Sequence, residues 1–224
     1  MKGFRSPALE DKLYFNDLIC LSFLSELVTS WTVTVTSNEQ RMDREIDRVD
    51  IQNTLAGEGD AYARLVKRYE QTIASQMWKY TRDRATHREL IQDVFIEAYR
   101  GLSTFREKSP FLHWLRRIAS RVGYRYWKKK AKERERFLPL QEELGNPAFV
   151  AEDLRPSEAA EYLFRLFGTL PAAERMILTL HYLEGCDMQE VAERMGWSYT
   201  LVKVRAFRAR QKLKSMMIQA GYRG

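Results

Sequence analysis

Aromatic and basic side chains alternate along residues 114–130, which read WLRRIASRVGYRYWKKK. Arg117, Arg121 and Arg125 recur every four residues, so on a helix they would form one stripe. Guanidinium groups bind phosphates, and an aromatic ring stacked on an unpaired base contributes about 1–3 kcal/mol. Extruding a base from a duplex costs a few kcal/mol. The segment could therefore hold a separated DNA strand without ATP, although Trp114 fits a core position better and the basic face could simply be solvated.

A second pattern, in residues 187–214, is typical of a helix-turn-helix motif. Asp187 can cap a short helix, Ala192 is small where two helices would cross, and Gly196 permits a tight turn. Val202 then faces the core from the next helix, which begins at about Ser198. On that helix we expect the N-terminal residues of the side away from Val202 to reach base edges. That side holds Tyr199, Thr200, Lys203, Val204, Phe207 and Arg208, with Arg205, Arg210, Lys212 and Lys214 placed for phosphates.

An acidic face accompanies a helix predicted from about Thr86 to Leu102. Its outer side shows Glu89, Gln92, Asp93, Ile96 and Glu97. An exposed isoleucine among carboxylates suits a protein partner. An ordinary solvated face explains the same pattern equally well.

Other kinds of site find little support in the sequence. Two cysteines, Cys20 and Cys186, exclude a disulfide framework and a zinc site built on several thiolates. The three histidines are far apart in sequence, and the carboxylates are spread over helix exteriors. We therefore predict that the protein is not an enzyme, has no cofactor and binds no small-molecule substrate.

The charge is concentrated in two segments of the 224-residue chain. Residues 116–136 carry +8 and residues 197–214 carry +6, so with a net charge of +7 the rest of the chain is at −7. Two basic segments on an acidic background indicate two places where a polyanion binds.

Helical periodicity dominates the chain, and no strand alternation is convincing, so we predict an all-α protein of two small domains. Asp60 is a plausible N-cap, and a third helix is predicted from Pro110 through Lys132. Three prolines within 137–157 break the pattern in an acidic stretch. The expected organisation is an extension (1–46), a helical bundle (47–132), an irregular linker (133–157) and a helix-turn-helix domain (158–219).

The first 41 residues differ from the rest of the chain. Leu13 to Val35 is rich in apolar residues, but Asn16, Asp17 and Glu26 interrupt it, so neither a stable membrane span nor a signal peptide is predicted. A loosely packed or disordered extension is one interpretation. Another is that Met42 is the true start.

These segments together resemble the extracytoplasmic-function (ECF) group of bacterial sigma-70 family sigma factors. DAYARLVKRYEQTI, HRELIQDVFIEAYRGLSTFR and SPFLHWLRRIAS are similar to three segments of the family's first block. TLPAAERMILTLHYLEGCDMQEVAERMGWS and VKVRAFRARQKL are similar to its second block. The resemblance covers about residues 50–130 and 160–216.

The resemblance implies a cytoplasmic transcription initiation factor that binds core RNA polymerase, promoter DNA and an anti-sigma factor. Helix 199–210 would read the duplex −35 element, and the acidic face would meet the polymerase clamp, with a further contact at the flap. Loop 103–110 and the following helix would recognise and melt the −10 element. The −10 residues implied are Phe105, Trp114, Arg117, Ser120, Arg121, Tyr124, Arg125, Trp127 and Lys128.

The chain departs from the family pattern in several places: the N-terminal extension has no counterpart, and Thr200-Leu201 stands where the family usually has Gly-Thr. Ser120 stands where the family often has an asparagine that helps hold a flipped base, and a hydroxyl cannot replace an amide's paired hydrogen bonds. Val204 places an apolar group on the DNA side, which could suit a thymine methyl. The alternative function is a stand-alone helix-turn-helix regulator of duplex DNA, which gives no reason for the aromatic-basic helix.

Overall fold

The computed structural model describes residues 37–137 and 164–219. All regular secondary structure in these two ranges is helical, which confirms the predicted all-α class. Residues 1–36 of the predicted N-terminal extension and most of the predicted linker lie outside the described residues.

The first range contains four long helices. They are α1 (Ser37–Leu55), α2 (Gly59–Met77), α3 (Arg84–Gly101) and α4 (Phe111–Phe137), with a short 3₁₀ turn (Leu102–Thr104) after α3. On α2, Leu65, Tyr69, Ile73 and Met77 recur every four residues and are all buried. The predicted apolar period of this helix is confirmed.

The second range contains three helices. They are α5 (Ala172–Leu178), which continues into a π-helical turn (Thr179–Leu183), α6 (Met188–Met195) and α7 (Tyr199–Gln219). Residues 164–169 are also helical. Pro171 is the N-cap of α5. A residue without an N–H loses no hydrogen bond at this end of a helix.

Three predicted boundaries are wrong. The chain is already helical at Ser37, so residues 37–46 belong to α1 and not to an irregular extension. Asp60 is not the N-cap of α2, because the helix starts at Gly59 and Asp60 lies in its first turn. The helix α4 runs through Phe137, so residues 133–137 are helical although the sequence placed them in the linker.

Two buried aspartates fasten α1 to α2. Arg68 donates to Asp47 (2.6 Å) and to Asp50 (2.7 Å), and the Tyr69 hydroxyl donates to Asp47 (2.5 Å). Burial raises the pKa of Asp47 in spite of these donors. Burial has the same tendency at Asp50, but hydrogen bonds from Arg68 and Arg64 outweigh it and hold the pKa of Asp50 below its ordinary value.

The described helices of the first range and residues 170–209 belong to one compact unit. Its core is continuous and includes Tyr80 and Trp127 from the first range with Met176 and Leu180 from the second. Residues 164–169 and 210–219 fall in a second unit, in which the Thr169 hydroxyl lies 3.1 Å from the Met216 sulfur. Among the described helices, none is long and apolar enough to cross a membrane.

Candidate nucleic-acid interface

The turn between α6 and α7 has the geometry that the sequence predicted. The Asp187 carboxylate accepts a hydrogen bond from the Glu190 N–H (2.7 Å) and so caps α6. Gly196 ends α6 at a φ of +68°, a left-handed conformation that a side chain would strain. Ala192 and Val202 are both buried in the same core, at 4% and 0% exposure. The helix-turn-helix motif is therefore confirmed.

The outer side of α7 is apolar and basic at once. Tyr199, Val204 and Phe207 are 46%, 42% and 51% exposed, which is unusual for large apolar side chains. Lys203 lies over the Tyr199 ring, with its ammonium 5.6 Å from the ring centroid. Thr200, Lys203 and Arg208 are exposed as well. All six residues predicted on the side away from Val202 thus lie on the accessible side of the helix.

The two residues assigned to phosphates within residues 199–210 are less accessible. Arg205 is half-buried, with its guanidinium 5.0 Å from the centroid of the Trp197 ring. Arg210 is also half-buried. The Arg205–Trp197 stack holds the end of the turn against α7 through a cation–π contact.

The basic stripe predicted on α4 is present. Arg117, Arg121, Arg125 and Lys128 are all exposed along one side of the helix. Partial desolvation of the guanidinium and the neighbouring charges of Arg117 and Arg125 lower the pKa of Arg121. The stripe is therefore a site of concentrated positive charge, relieved at one end where Arg125 pairs with Glu97 of α3.

Two residues predicted to touch melted DNA are instead interior. Trp127 is 4% exposed, and its indole N–H donates to the carbonyl of Tyr80 (2.8 Å). Ser120 is fully buried, and its hydroxyl donates to the carbonyl of Arg116 (2.9 Å). The helix turns both positions toward the core, so neither side chain is accessible in this structure, and their contact with the −10 element stays a prediction.

The remaining aromatic residues divide between a loop cluster and the stripe. Phe105, Phe111 and Trp114 pack together, with ring centroids 5.3–5.6 Å apart. Phe105 and Trp114 remain half-buried and so keep an accessible edge. Tyr124 is also half-buried, and Lys128 lies 5.9 Å from its ring centroid.

A cavity of about 260 Å³ lies between α1 and the loop that leads into α4. Its lining includes Arg44, Arg48, Phe105, Glu107 and Phe111. Arg48 of α1 pairs with Glu107 at 3.5 Å, and Glu107 has a φ of +53°. Sequence reasoning missed the contribution of α1, because it assigned the first half of this helix to the extension.

The acidic face on α3 is accessible as expected. Glu89, Gln92 and Asp93 are exposed, and Ile96 is 47% exposed. Tyr99 is 57% exposed and meets the Tyr62 ring edge-on at 4.9 Å. The face thus offers two large apolar side chains beside its carboxylates. Among the described residues, no group of three or more His, Cys, Asp or Glu could hold a metal ion.

Two known protein families match this chain, one in each half. Residues 65–133 match the family described as Sigma-70 region 2, and residues 157–213 match Sigma-70, region 4. These matches contain the stripe of α4 and the helix-turn-helix motif, respectively.

Two curated relatives carry names of RNA polymerase sigma factors. The chain is 31% identical over 181 residues to the ECF RNA polymerase sigma-E factor of Escherichia coli (strain K12), covering 75% of this chain and 92% of that protein. It is 30% identical over 179 residues to the Probable RNA polymerase sigma factor RfaY of Xanthomonas campestris pv. campestris, covering 76% of this chain. The matched part spans only 44% of the Xanthomonas protein.

A solved structure shares the fold. CnrH, determined in complex with the cytosolic domain of CnrY, aligns with a TM-score of 0.51 and 22% identity, covering 78% of this chain and 98% of that one. With the two family matches and the near full-length relation to sigma-E, the chain belongs to the ECF group of the sigma-70 family of RNA polymerase sigma factors.

Proposed function

We propose that this sigma factor binds core RNA polymerase through the exposed face of α3 and reads a promoter with two separate surfaces. The outer side of α7 reads the duplex −35 element in the major groove. The stripe of α4, with the Phe105 loop, binds the melted −10 strand. The assembly acts in the bacterial cytoplasm, where an anti-sigma factor restrains it.

The observation that carries this proposal is the composition of the exposed side of α7. Soluble proteins seldom leave tyrosine, valine and phenylalanine exposed on one helix face without a partner. Here Lys203 and Arg208 flank these residues, and the helix follows a well-formed turn. Apolar contact with thymine methyls together with lysine or arginine on guanine edges accounts for such a surface.

The surface of α3 supports the polymerase contact. Ile96 and Tyr99 form an apolar centre, and Glu89, Gln92 and Asp93 surround it. An aromatic and aliphatic centre within a polar rim is the usual anatomy of a protein–protein interface. In contrast to α7, the charge of this face is negative, so it would repel DNA.

The test is transcription in vitro with a bacterial core polymerase and a library of promoter fragments. The expected result is start-site-specific RNA only when this chain is present, lost when Lys203→Ala and Phe207→Ala are combined. Gln211→Ala, an exposed change further along α7, is the matched control. Tight, specific duplex binding without polymerase, and no effect on initiation, would instead establish a stand-alone regulator.

A further inference from the structure

A nearly buried arginine lies just before the turn of the helix-turn-helix motif. Arg194 is the last residue but one of α6, and its side chain is 11% exposed. Its Nη1 donates to the carboxylate of Glu184 (2.8 Å), and its Nη2 donates to the carboxylate of Glu190 (2.6 Å). Glu190 belongs to α6 itself, whereas Glu184 belongs to the segment before that helix. The guanidinium therefore joins the end of α6 to the chain that leads into it.

The π-helical turn sets the direction of the Glu184 side chain. Glu184 follows that turn directly, and its N–H donates to the Thr179 carbonyl (3.2 Å). A π-helical turn takes in one residue more than an α-helical turn, so it changes the side to which the next residue points. The segment is tied back again at Cys186, whose N–H donates to the Leu180 carbonyl (3.0 Å) and whose carbonyl accepts from His181 Nδ1 (2.7 Å). Three hydrogen bonds thus fix the base from which Glu184 extends.

Apolar packing alone gives α6 little directional restraint. The helix has eight residues, and its buried side chains are Val191, Ala192 and Met195. Burial of apolar surface is not directional, so it discriminates poorly between small rotations of a helix this short. The donors of a guanidinium lie in a planar fork and hold two carboxylates in one geometry. Arg194 supplies the directional contact that the small apolar face does not.

The orientation of α6 determines where α7 begins. The Trp197 N–H donates to the Ala192 carbonyl (2.9 Å), so the turn is closed on the end of α6. Trp197 precedes α7 by two residues, and its ring lies under the guanidinium of Arg205 on that helix. A rotation of α6 would therefore move Tyr199 and Lys203, the first members of the outer side of α7.

We propose that Arg194 is a positioning residue for promoter recognition, which fixes α6 through Glu184 and so fixes the angle at which α7 enters the major groove. This inference rests on the proposed function, because that function assigns the outer side of α7 to the −35 element. Arg194 acts through α6 and not by touching DNA. Hydrogen bonds to base edges require alignment, whereas the attraction between cations and phosphates does not. Loss of Arg194 should therefore reduce sequence discrimination more than it reduces DNA binding in general.

The perturbing variant is Arg194→Met, which keeps an unbranched side chain and removes both ion pairs. Arg194 is changed and not its partner, because Glu184 also lies 3.8 Å from the Lys79 ammonium. Gln189→Met is the matched control, since it introduces the same residue on the same helix and removes an exposed contact with Glu193. If Arg194→Met does not give a native circular dichroism spectrum, Arg194→Lys carries the test, because a compact ammonium keeps the charge but not the planar fork.

The first readout is amide hydrogen exchange in the full chain, which does not depend on DNA. The Trp197 amide reports on the turn through its hydrogen bond to the Ala192 carbonyl. We expect this amide to exchange about tenfold faster in Arg194→Met, because breaking a mostly buried ion pair leaves a buried charge without its partner. The rate in Gln189→Met should equal that of the wild type.

The second readout uses core polymerase reconstituted with each variant and a duplex promoter fragment that is transcribed in the library experiment. Its affinity is measured for that fragment and for the same fragment with a scrambled −35 sequence. The ratio of the two affinities should fall about tenfold in Arg194→Met, which is the size of one lost base contact, and should not change in Gln189→Met.

Each outcome has one meaning. Unchanged exchange at Trp197 would overturn the positioning role of Arg194. Faster exchange with an unchanged affinity ratio would overturn the link between the turn and sequence recognition. Faster exchange in the variant, together with no −35 preference in the wild type, would overturn the proposed function alone.

Discussion

Replacing Gly123 of α4 with alanine would place a methyl group inside the space of the Tyr80 ring. A Cβ built at Gly123 lies 2.3, 2.4 and 2.6 Å from three ring carbons, whereas carbon atoms in contact are about 3.5–4.0 Å apart. The ring has no room to retreat, because Tyr80 is 1% exposed and its own carbonyl accepts the Trp127 indole N–H. Either the helix or the ring must shift by more than 1 Å.

Two opposing effects determine the size of the change in stability. Overpacking a core costs about 1–3 kcal/mol. Alanine in a helix interior is favoured over glycine by about 1 kcal/mol. Because the contact involves three ring atoms, we take the upper part of the first range and expect a net loss of about 1–2 kcal/mol. For a chain of this length that lowers the melting temperature by about 2–8 °C.

Thermal unfolding followed by circular dichroism, together with urea titration, measures this loss. Gly59→Ala is the matched control, since nothing lies within 4 Å of its Cβ position and it opens α2. That change should be neutral or stabilising by about 0.4–1 kcal/mol. Combining Gly123→Ala with Tyr80→Leu should recover part of the loss. Equal or higher stability of Gly123→Ala than of the wild type would refute the packing argument.

Four further outcomes are expected. Asp50→Asn should lower the free energy of unfolding by about 2 kcal/mol at pH 7, since the carboxylate accepts hydrogen bonds from two arginines of α2. Because folding lowers the pKa of Asp50, the difference in stability from the wild type, measured by urea titration, should persist above about pH 4. It should shrink as the pH falls through the pKa of the folded state. Asp187→Ala should lower stability by about 1 kcal/mol through loss of the cap of α6, and an unchanged urea midpoint would contradict the capping role. Ile96→Lys should weaken binding to core polymerase about tenfold in a fluorescence titration without changing the melting temperature, and full affinity would argue against the α3 face. Phe207→Ala should reduce binding of −35 duplexes about tenfold while leaving polymerase binding intact; loss of both would indicate misfolding.

Local signals made the helix-turn-helix motif predictable from the sequence. Asp187, Ala192, Gly196 and Val202 each have a strict requirement: a capping oxygen, a small contact, a left-handed φ and a buried branched side chain. These requirements depend on residues that all lie between positions 187 and 202. The same is true of the apolar period of α2, which fixes its buried face without knowledge of the neighbours.

The residues that the sequence misplaced depend on distant partners. Trp127 lies among basic residues, and in isolation its neighbours suggest a DNA surface. Its burial follows from Tyr80, which supplies a carbonyl acceptor, and from Arg175, which covers the ring from the second range. Neither contact can be recognised from residues 114–130 alone, because Tyr80 and Arg175 lie outside that segment. Likewise, Gly123 reads as an ordinary helix interruption until the Tyr80 ring is placed against it.

The boundary of α1 was missed for a related reason. Met42, Ile46 and Val49 recur at helical spacing but are exposed, so the apolar pattern does not mark a core. The helix is held by the buried Ile51 and by Asp47 and Asp50, which are buried polar groups. Sequence rules place aspartates outside, and only the arginine and tyrosine partners on α2 make these two positions interior.

The basic stripe of α4 is unfavourable in the free protein, because its charges repel one another and attract any available carboxylate. In the structure Arg117 donates to a backbone carbonyl, not to the carboxylate of Glu193, which instead accepts from Gln189. A carbonyl oxygen is neutral, whereas a phosphate or carboxylate oxygen places a negative charge opposite the guanidinium. The cation can therefore exchange its partner for a phosphate with a net gain. Hence, substitutions that bring a carboxylate to the turn between α6 and α7 (residues 193–197) should pair with the stripe and weaken single-stranded DNA binding without altering the reading surface of α7.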